Sequence, residues 1–173
     1  ASKAFDSVEH GRLLEKMGWY GVGRHWFGDW LGGRVQIVRG GSVRLPVTHG
    51  VVQGSILGPV LFSLFINDLS SHVPCDKLVI YADDTQFINS CDKSRLDEHK
   101  AALEGMLEAV QNWFHQNSLK INPAKTELIL FGTKSQDQDF TIDFAGATVR
   151  PASTVKILGV ILDSDLRFES HVS

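Results

Sequence analysis

The sequence predicts an α+β fold, with helices packed on one face of an antiparallel sheet. Apolar residues recur at helical spacing near residues 8–17, 26–31 and 96–114, which indicates amphipathic helices. Short runs rich in β-branched and aromatic residues meet at glycine or aspartate pairs, most clearly at residues 78–88, which indicates β-hairpins. The mixture of helices and antiparallel hairpins defines the predicted class.

Composition limits the size and location of the protein. A chain of 173 residues, 43% hydrophobic and 21% charged, is long enough for one domain with a core and too short to indicate two, so residues 1–173 are taken as one domain. The longest apolar candidate, residues 56–66, contains glycine, proline and serine and falls short of the roughly 20 residues of a membrane span. Residues 1–10 are polar, unlike a signal peptide. We therefore expect an intracellular protein without a membrane partner.

Charge and cysteine content exclude further classes. The net charge of −3 and the pI near 6.2 do not fit a protein that binds nucleic acid over its whole surface. Residues 1–48 are locally basic, however, with seven basic against four acidic side chains. Cys75 and Cys91 lack the spacing of a zinc site or of a disulfide framework.

The first helix is expected to begin at Asp6. This residue stands three positions before Glu9, which is the capping-box pattern, and Leu13, Leu14 and Met17 follow at helical spacing. We therefore interpret Asp6 as a helix cap.

A second helix is predicted at residues 26–31, where Trp26, Phe27, Trp30 and Leu31 form an apolar stripe that ends before a glycine pair. Such a stripe is more often core than a surface on which bases stack. A hairpin is expected next, around the turn at residues 40–41. Its polar positions are Arg34, Gln36, Arg39 and Arg44. Arginines on such a ribbon either hold phosphates or form a solvated face, and the sequence favours neither.

Residues 50–59 (GVVQGSILGP) surround one glutamine with glycines and a proline. This composition indicates that the backbone closely approaches a ligand, and the helix N-terminus that follows suits phosphate oxygens. The helix is expected from about Ser55 to Ser71, apolar on nearly every side and therefore buried, with Ser55 as its simplest cap.

Residues 78–88 (LVIYADDTQFI) are two strand-like runs that meet at Asp83 and Asp84. Because side chains alternate between the faces of a strand, only one carboxylate can face a metal ion directly, and we expect it to be Asp83. Taken alone, such a pair is more often a plain polar turn.

The remaining elements follow in order. A long helix is expected from Leu96 to about Asn117. We then expect a buried strand at residues 128–131, a loop at residues 134–139, a weak hairpin at residues 140–150, and a last strand at residues 155–162 that pauses at Gly159.

Five short segments, taken together, resemble the successive palm motifs of reverse transcriptases. They are SKAFD at residues 2–6, GVVQGSILGP at 50–59, YADD at 81–84, NPAKTE at 122–127 and LGV at 158–160. The resemblance is closest to non-LTR retrotransposon enzymes of the jockey and CR1 kind, and it covers essentially the whole chain. It implies the right-hand polymerase palm and RNA-directed DNA synthesis, with an RNA template, a DNA primer and dNTP. Two Mg²⁺ ions, with Mn²⁺ as an alternative, are implied as cofactors.

The resemblance also implies roles for single residues. Asp83 matches the family's metal-binding aspartate, and Asp84 stands beside it in a lesser role. Gln53 and Gly54 match residues that line the nucleotide pocket. Lys125 matches a lysine that protonates or steadies the leaving pyrophosphate.

Further roles concern the sugar, the primer and the template. Phe5 matches an aromatic residue that lies beneath the sugar of the incoming nucleotide. Leu158 and Gly159 match the primer grip. Arg34 and Gln36 lie where the family contacts the template.

The chain also departs from the family pattern. The family's first catalytic aspartate would immediately precede Ala1, and Asp6 does not substitute for it. Val52 stands where the family usually has proline. Fingers and thumb would lie outside these residues, with an endonuclease domain also expected in the parent protein, so we expect a palm truncated at both ends and inactive on its own. The alternatives are an inactive retroelement remnant that keeps the palm fold and, less favoured, a metal-dependent phosphohydrolase. A nuclear and cytoplasmic location is implied.

Overall fold

The computed structural model describes residues 3–37, 40–41, 43–75, 77–132 and 140–172. The chain divides into two compact units. The first comprises Ala1–Asn89 and Ala109–Ile121, and the second comprises Ser90–Glu108 and Asn122–Ser173. The expectation of one domain over residues 1–173 stays a prediction.

The described residues contain helices and short strands, joined by turns and loops. The α-helices are α1 (His10–Trp19), α2 (Arg24–Leu31), α3 (Leu57–Ile66), α4 (Leu96–Gln116) and α5 (Glu169–Val172), and 3₁₀ helices lie at Phe5–Ser7, Asn67–Ser71, Lys93–Arg95 and Pro123–Lys125. The strands are β1 (Val35–Ile37), β2 (Arg44–Pro46), β3 (Lys77–Tyr81), β4 (Asp84–Ile88), β5 (Ile142–Phe144), β6 (Ala147–Val149), β7 (Thr154–Ile157) and β8 (Val160–Asp163). The predicted positions of α2, α4 and the hairpins are confirmed.

Among the residues that the structure describes, each strand pairs with its neighbour in sequence. They form four separate two-stranded antiparallel hairpins, β1–β2, β3–β4, β5–β6 and β7–β8. The α+β class and the antiparallel pairing are thus confirmed. A single sheet with helices on one face is not found among the described strands, because no hairpin is paired to the next. The palm arrangement stays a proposal.

Asp6 does not cap α1, contrary to the sequence interpretation. It lies in the 3₁₀ helix Phe5–Ser7, and α1 begins only at His10, with no side-chain cap. The reason is tertiary, since residues further along the chain satisfy this backbone. The N–H of His10 donates to the carbonyl of Thr48 at 3.0 Å, and the N–H of Gly50 donates to the carbonyl of Val8 at 2.7 Å.

The core of the first unit lies between α1 and α3. Its fully buried side chains are Val8, Leu13, Met17, Leu31, Leu61, Phe62, Phe65, Leu69 and Val110. The prediction that α3 is buried on nearly every side is wrong, because Val60 is 53% exposed and Ile56, just before the helix, is 92% exposed. The 3₁₀ helix Asn67–Ser71 extends α3 to the predicted end.

Two predictions fail in the second unit. Residues 128–131 make a single parallel bridge, between Leu128 and Pro151, instead of a buried strand. The predicted last strand is the hairpin β7–β8, which turns at Leu158 and Gly159. These two residues have φ angles of +48° and +91°, and a two-residue hairpin turn requires positive φ at both positions when it is of type I′.

Some expectations fall outside the described residues, namely the loop at residues 134–139 and the side chain of Arg39. In the part of the chain that the structure describes, no helix combines the length and apolar character needed to cross a membrane.

Candidate active site

The Asp83–Asp84 pair lies at the end of the β3–β4 hairpin. Tyr81 pairs with Asp84, so Ala82 and Asp83 form a two-residue turn. Asp83 is half-buried in the turn, whereas Asp84 begins β4 and is exposed. Ala82 has a φ of +50°, a conformation that costs roughly 1–2 kcal/mol for a residue with a Cβ. Backbone outliers of this kind cluster at functional sites, and this one lies in the turn that contains Asp83 and directly precedes Asp84.

The carboxylate pair suits a hard divalent cation. Mg²⁺ takes oxygen ligands and is commonly bound through one or two carboxylates together with substrate phosphates. Within the described ranges, no group of three or more His, Cys, Asp or Glu side chains lies close enough together to hold a metal ion. Asp83 and Asp84 offer carboxylate oxygens of the kind that such an ion takes.

The glycine-rich loop, which we define as residues 50–56 before α3, is joined to the 3₁₀ helix Phe5–Ser7 by hydrogen bonds. The N–H of Val51 donates to the carbonyl of Phe5 at 2.9 Å. The side-chain amide Nε2 of Gln53 donates to Oδ1 of Asp6 at 3.2 Å. The structure thus places the segment that carries Gln53 next to the segment that carries Phe5, two of the residues that the sequence assigned to the nucleotide pocket.

The two loop glycines have different requirements. Gly50 has a φ of +91°, and a Cβ there would lie 3.3 Å from the Cα of Asp6, so this position needs both the conformation and the space of glycine. Gly54 has a φ of +79°, but a Cβ there would meet nothing within 4 Å. The backbone conformation at position 54 therefore favours glycine, whereas the space around it does not require glycine. This open space is compatible with a ligand beside Gly54.

Ser55 makes the capping type of hydrogen bond that the sequence indicated, although α3 begins at Leu57 and Ile56 occupies its N-cap position. The Oγ of Ser55 accepts a hydrogen bond from the N–H of Gly58 at 2.9 Å and donates to the carbonyl of Val52 at 2.7 Å. A Cβ at Gly58 would lie 2.7 Å from the carbonyl oxygen of Val52, so glycine is required here. These contacts fix the loop against the start of the helix.

Phe5 packs against the core through one face of its ring. Its ring stacks on that of Phe62 with centroids 4.6 Å apart and an interplanar angle of 16°. Phe62 is fully buried, whereas Phe5 is half-buried. Phe5 therefore combines a core contact of its half-buried ring with a backbone carbonyl that accepts a hydrogen bond from the glycine-rich loop.

The two residues assigned to the template differ in environment. Nε of Arg34 donates to the carbonyl of Trp30 at 2.8 Å, and its guanidinium carbon lies 4.1 Å from the centre of the Trp30 ring. Arg34 therefore satisfies a carbonyl at the end of α2 and stacks on an aromatic ring. Gln36 is exposed on β1.

The remaining predicted residues belong to the second unit. Lys125 ends the 3₁₀ helix Pro123–Lys125 and is exposed, and the side chain of Asn122 accepts from the N–H of Ala124 to cap that helix. Leu158 and Gly159 form the turn of β7–β8, and Leu158 is 52% exposed. Both the lysine and the turn are thus available at the surface of their unit.

One buried cation was missed at the sequence level. Lys16 is 4% exposed, and its Nζ donates to Oδ1 of Asp68 at 2.6 Å and to the carbonyl of Phe65 at 2.8 Å. Nζ also lies 4.6 Å from the centre of the Trp113 ring. Burial lowers the pKa of Lys16 below its usual value, although the hydrogen bond and charge of Asp68 oppose the shift. Its position beside Met17 on the apolar stripe of α1 was the only signal in the sequence.

Asp6 was also missed as a partner of Gln53. The two residues are 47 positions apart, and no local pattern pairs them. The sequence could have suggested the contact only through the shared resemblance of their segments to neighbouring palm motifs.

Comparison with known proteins identifies the family. Residues 1–162 match the family described as reverse transcriptase (RNA-dependent DNA polymerase). The chain therefore belongs to the reverse transcriptase family, as its motifs predicted. No solved structure matches the chain.

Three similar curated proteins come from mobile elements of Drosophila melanogaster. The chain is 31% identical to the RNA-directed DNA polymerase from mobile element jockey over 74% of this chain and 14% of that protein. It is 30% identical to the probable RNA-directed DNA polymerase from transposon BS over 98% of this chain and 20% of that protein. A putative 115 kDa protein in type-1 retrotransposable element R1DM is 27% identical over 98% of this chain and 17% of that protein. The chain thus spans a fifth or less of the length of these relatives.

Proposed function

We propose that this chain is the palm region of a non-LTR retrotransposon reverse transcriptase, which extends the 3′ end of a DNA primer with dNTP on an RNA template. The observation that carries the proposal is the β3–β4 turn, where Asp83 and Asp84 stand side by side in a chain of the reverse transcriptase family. The relatives named RNA-directed DNA polymerase support the reaction type.

In this proposal Asp83 holds Mg²⁺, or Mn²⁺ in its place, and Asp84 has a lesser role. The half-burial of Asp83 and the exposure of Asp84 support this difference. If bound there, two such ions would supply activation of the primer hydroxyl and neutralisation of the leaving pyrophosphate. Lys125, exposed at the end of its 3₁₀ helix, either donates a proton to the pyrophosphate or stabilises its negative charge.

Phe5, Gln53 and Gly54 form the nucleotide pocket. The hydrogen bonds between the loop and the 3₁₀ helix Phe5–Ser7 support this grouping, as does the open space beside Gly54. The accessible part of Phe5 lies beneath the sugar, and the amide of Gln53 contacts the nucleotide. Both side chains are thereby assigned to binding and orientation of the dNTP.

Leu158 and Gly159 contact the primer, and Gln36 contacts the template. The exposed turn of β7–β8 and the exposed strand β1 support these assignments. Arg34 is also assigned to the template, since its Nε donates to the carbonyl of Trp30 and a guanidinium has four further N–H donors. Fingers, thumb and an endonuclease domain are proposed for the full-length protein.

The test is templated synthesis by the full-length protein that contains this chain. We expect dTTP incorporation on poly(rA)/oligo(dT) that requires Mg²⁺ or Mn²⁺ and is lost in Asp83→Ala. Asp29→Ala is the matched control, because Asp29 is an exposed aspartate on α2 of the same unit. Equal incorporation by the wild type and by Asp83→Ala would contradict the proposal.

A further inference from the structure

The hydrogen bond between Gln53 and Asp6 fixes which end of the Gln53 amide points at Asp6. An ionised carboxylate only accepts hydrogen bonds, so its partner must be the amide nitrogen. Nε2 of Gln53 lies 3.2 Å from Oδ1 of Asp6. The carbonyl oxygen Oε1 and the second N–H of the amide are then left for another partner. A nucleotide offers both kinds of partner, hydroxyl donors and phosphate acceptors.

Backbone contacts hold the two residues opposite each other. The N–H of Val51 donates to the carbonyl of Phe5, the residue before Asp6, and the N–H of Gly50 donates to the carbonyl of Val8. Gly50 also approaches Asp6 so closely that a Cβ would lie 3.3 Å from its Cα. Backbone contacts thus hold the segments that carry Asp6 and Gln53 side by side, independently of the hydrogen bond between the two side chains.

A long exposed side chain normally samples several rotamers. Gln53 is exposed, so without a partner it would lose this freedom only when a ligand binds. The Asp6 carboxylate accepts a hydrogen bond from Gln53 before any ligand binds, so part of the entropy cost of ordering Gln53 is already met. Asp6 can therefore favour ligand binding without contacting the ligand itself.

We propose that Asp6 is a positioning residue that orients the Gln53 amide for the incoming nucleotide. This inference rests on the proposed function, in which Gln53 lines the nucleotide pocket. Asp6 itself contacts neither the nucleotide nor a metal ion. Its effect on the reaction therefore passes through Gln53 and concerns nucleotide binding more than the chemical step.

The test is a double-mutant cycle in the full-length protein that contains this chain. The variants are Asp6→Ala, Gln53→Ala, the double variant and Asp6→Asn, with kcat and KM for dTTP on poly(rA)/oligo(dT) and the melting temperature measured for each. We expect Asp6→Ala to raise KM roughly three- to tenfold, with kcat and Tm nearly unchanged, because one hydrogen bond and the order it imposes are lost. In the Gln53→Ala background, Asp6→Ala should have no further effect on KM.

Asp6→Asn separates positioning from charge. The Asn oxygen can still accept from Nε2 of Gln53, so we expect KM to stay near the wild-type value. Loss of kcat in Asp6→Asn would mean that the carboxylate acts directly, for example on a metal ion, and would overturn the inference. Ser7→Ala is the matched control, since Ser7 lies in the same 3₁₀ helix and bonds Lys3 instead of Gln53.

The remaining outcomes distinguish the two proposals. Independent, additive effects of Asp6→Ala and Gln53→Ala on KM would overturn the positioning role while the pocket stands. Unchanged KM in Gln53→Ala would remove Gln53 from the pocket and the inference with it. Stabilisation of the protein by dTTP and Mg²⁺ in a thermal melt gives a second readout, which should decrease in both single variants even where turnover is too slow to measure.

Discussion

Phe5 stacks face to face on Phe62, with ring centroids 4.6 Å apart and an interplanar angle of 16°. Phe62 is fully buried on α3, whereas Phe5 stands in the 3₁₀ helix that adjoins the glycine-rich loop. The stack therefore ties a predicted nucleotide-binding side chain to the hydrophobic core. It means that a substitution at Phe5 changes stability and selectivity together, and an experiment must separate the two.

Replacement of Phe5 by valine in the full-length protein is expected to increase use of ribonucleotides. A rigid ring beneath the sugar leaves no room and no hydrogen-bond partner for a 2′-hydroxyl, a discrimination of roughly 1–3 kcal/mol. The ratio of incorporation efficiencies for rCTP and dCTP should therefore rise by about tenfold or more in Phe5→Val. Loss of the stack should also cost about 1–2 kcal/mol and lower the melting temperature by several degrees.

Phe62→Leu is the control for this prediction. It weakens the same stack from the buried side and should lower the melting temperature without any change in the ratio. An unchanged ratio in a folded Phe5→Val protein would show that Phe5 serves the core alone.

Asp83 and Asp84 of the β3–β4 hairpin should differ in their contribution to catalysis. Asp83 is half-buried in the turn, and Asp84 is exposed at the start of β4. We expect Asp83→Asn to lower kcat by roughly 10²-fold or more, the typical loss when one group that stabilises developing charge is removed, and Asp84→Asn to lower it much less. Steady-state kinetics of the two variants provide the measurement. Comparable losses would refute the argument that one carboxylate faces the metal ions.

Lys125 should act on the chemical step. Its proposed partner is the leaving pyrophosphate, whose negative charge grows in the transition state. Lys125→Ala in the full-length protein is therefore expected to reduce the single-turnover rate more than the affinity for dNTP. Lys156→Ala is the matched control, because Lys156 is another exposed lysine of the second unit, on β7. A change confined to nucleotide affinity would count against the assignment.

Sequence patterns were sufficient where the structure depends on neighbouring residues. The apolar stripe that begins at Leu96 predicted α4 almost to its observed end at Gln116. The β3–β4 hairpin followed from strand-forming residues on both sides, although its turn lies at Ala82 and Asp83, one residue before the predicted tip at Asp83 and Asp84. Residues close together in the sequence determine whether these elements are helices or hairpins, so the local sequence pattern is enough to predict them.

Predictions failed where distant contacts or unusual backbone angles decide. The capping-box pattern at Asp6 was overruled by hydrogen bonds from residues about 40 positions away, such as that between His10 and Thr48. The turn at Leu158 was missed because a leucine with a positive φ is uncommon, and strand propensity alone favoured one continuous strand. In the candidate site, the Asp83–Asp84 pair was visible in the sequence, whereas the Asp6–Gln53 contact joins segments that only the fold brings together.

The buried amine of Lys16 should make stability depend on pH. Burial lowers the pKa of Lys16 below its usual 10.5 in the folded chain, against the opposing effect of Asp68. Between the lowered pKa and 10.5, the amine is protonated mainly in the unfolded state, which therefore binds more protons than the folded state. The free energy of unfolding should consequently rise as the pH increases through this window.

The measurement compares the wild-type chain with Lys16→Met by urea unfolding at a series of pH values from neutral to 10.5, followed by tryptophan fluorescence. The free energy of unfolding of the wild type minus that of Lys16→Met should rise with pH, since methionine has no proton to lose. Lys120→Met is the matched control, because Lys120 is exposed and its ammonium group is not taken out of water. A difference that stays flat for Lys16→Met, or that rises equally for Lys120→Met, would show that the buried amine is not the origin of the pH dependence.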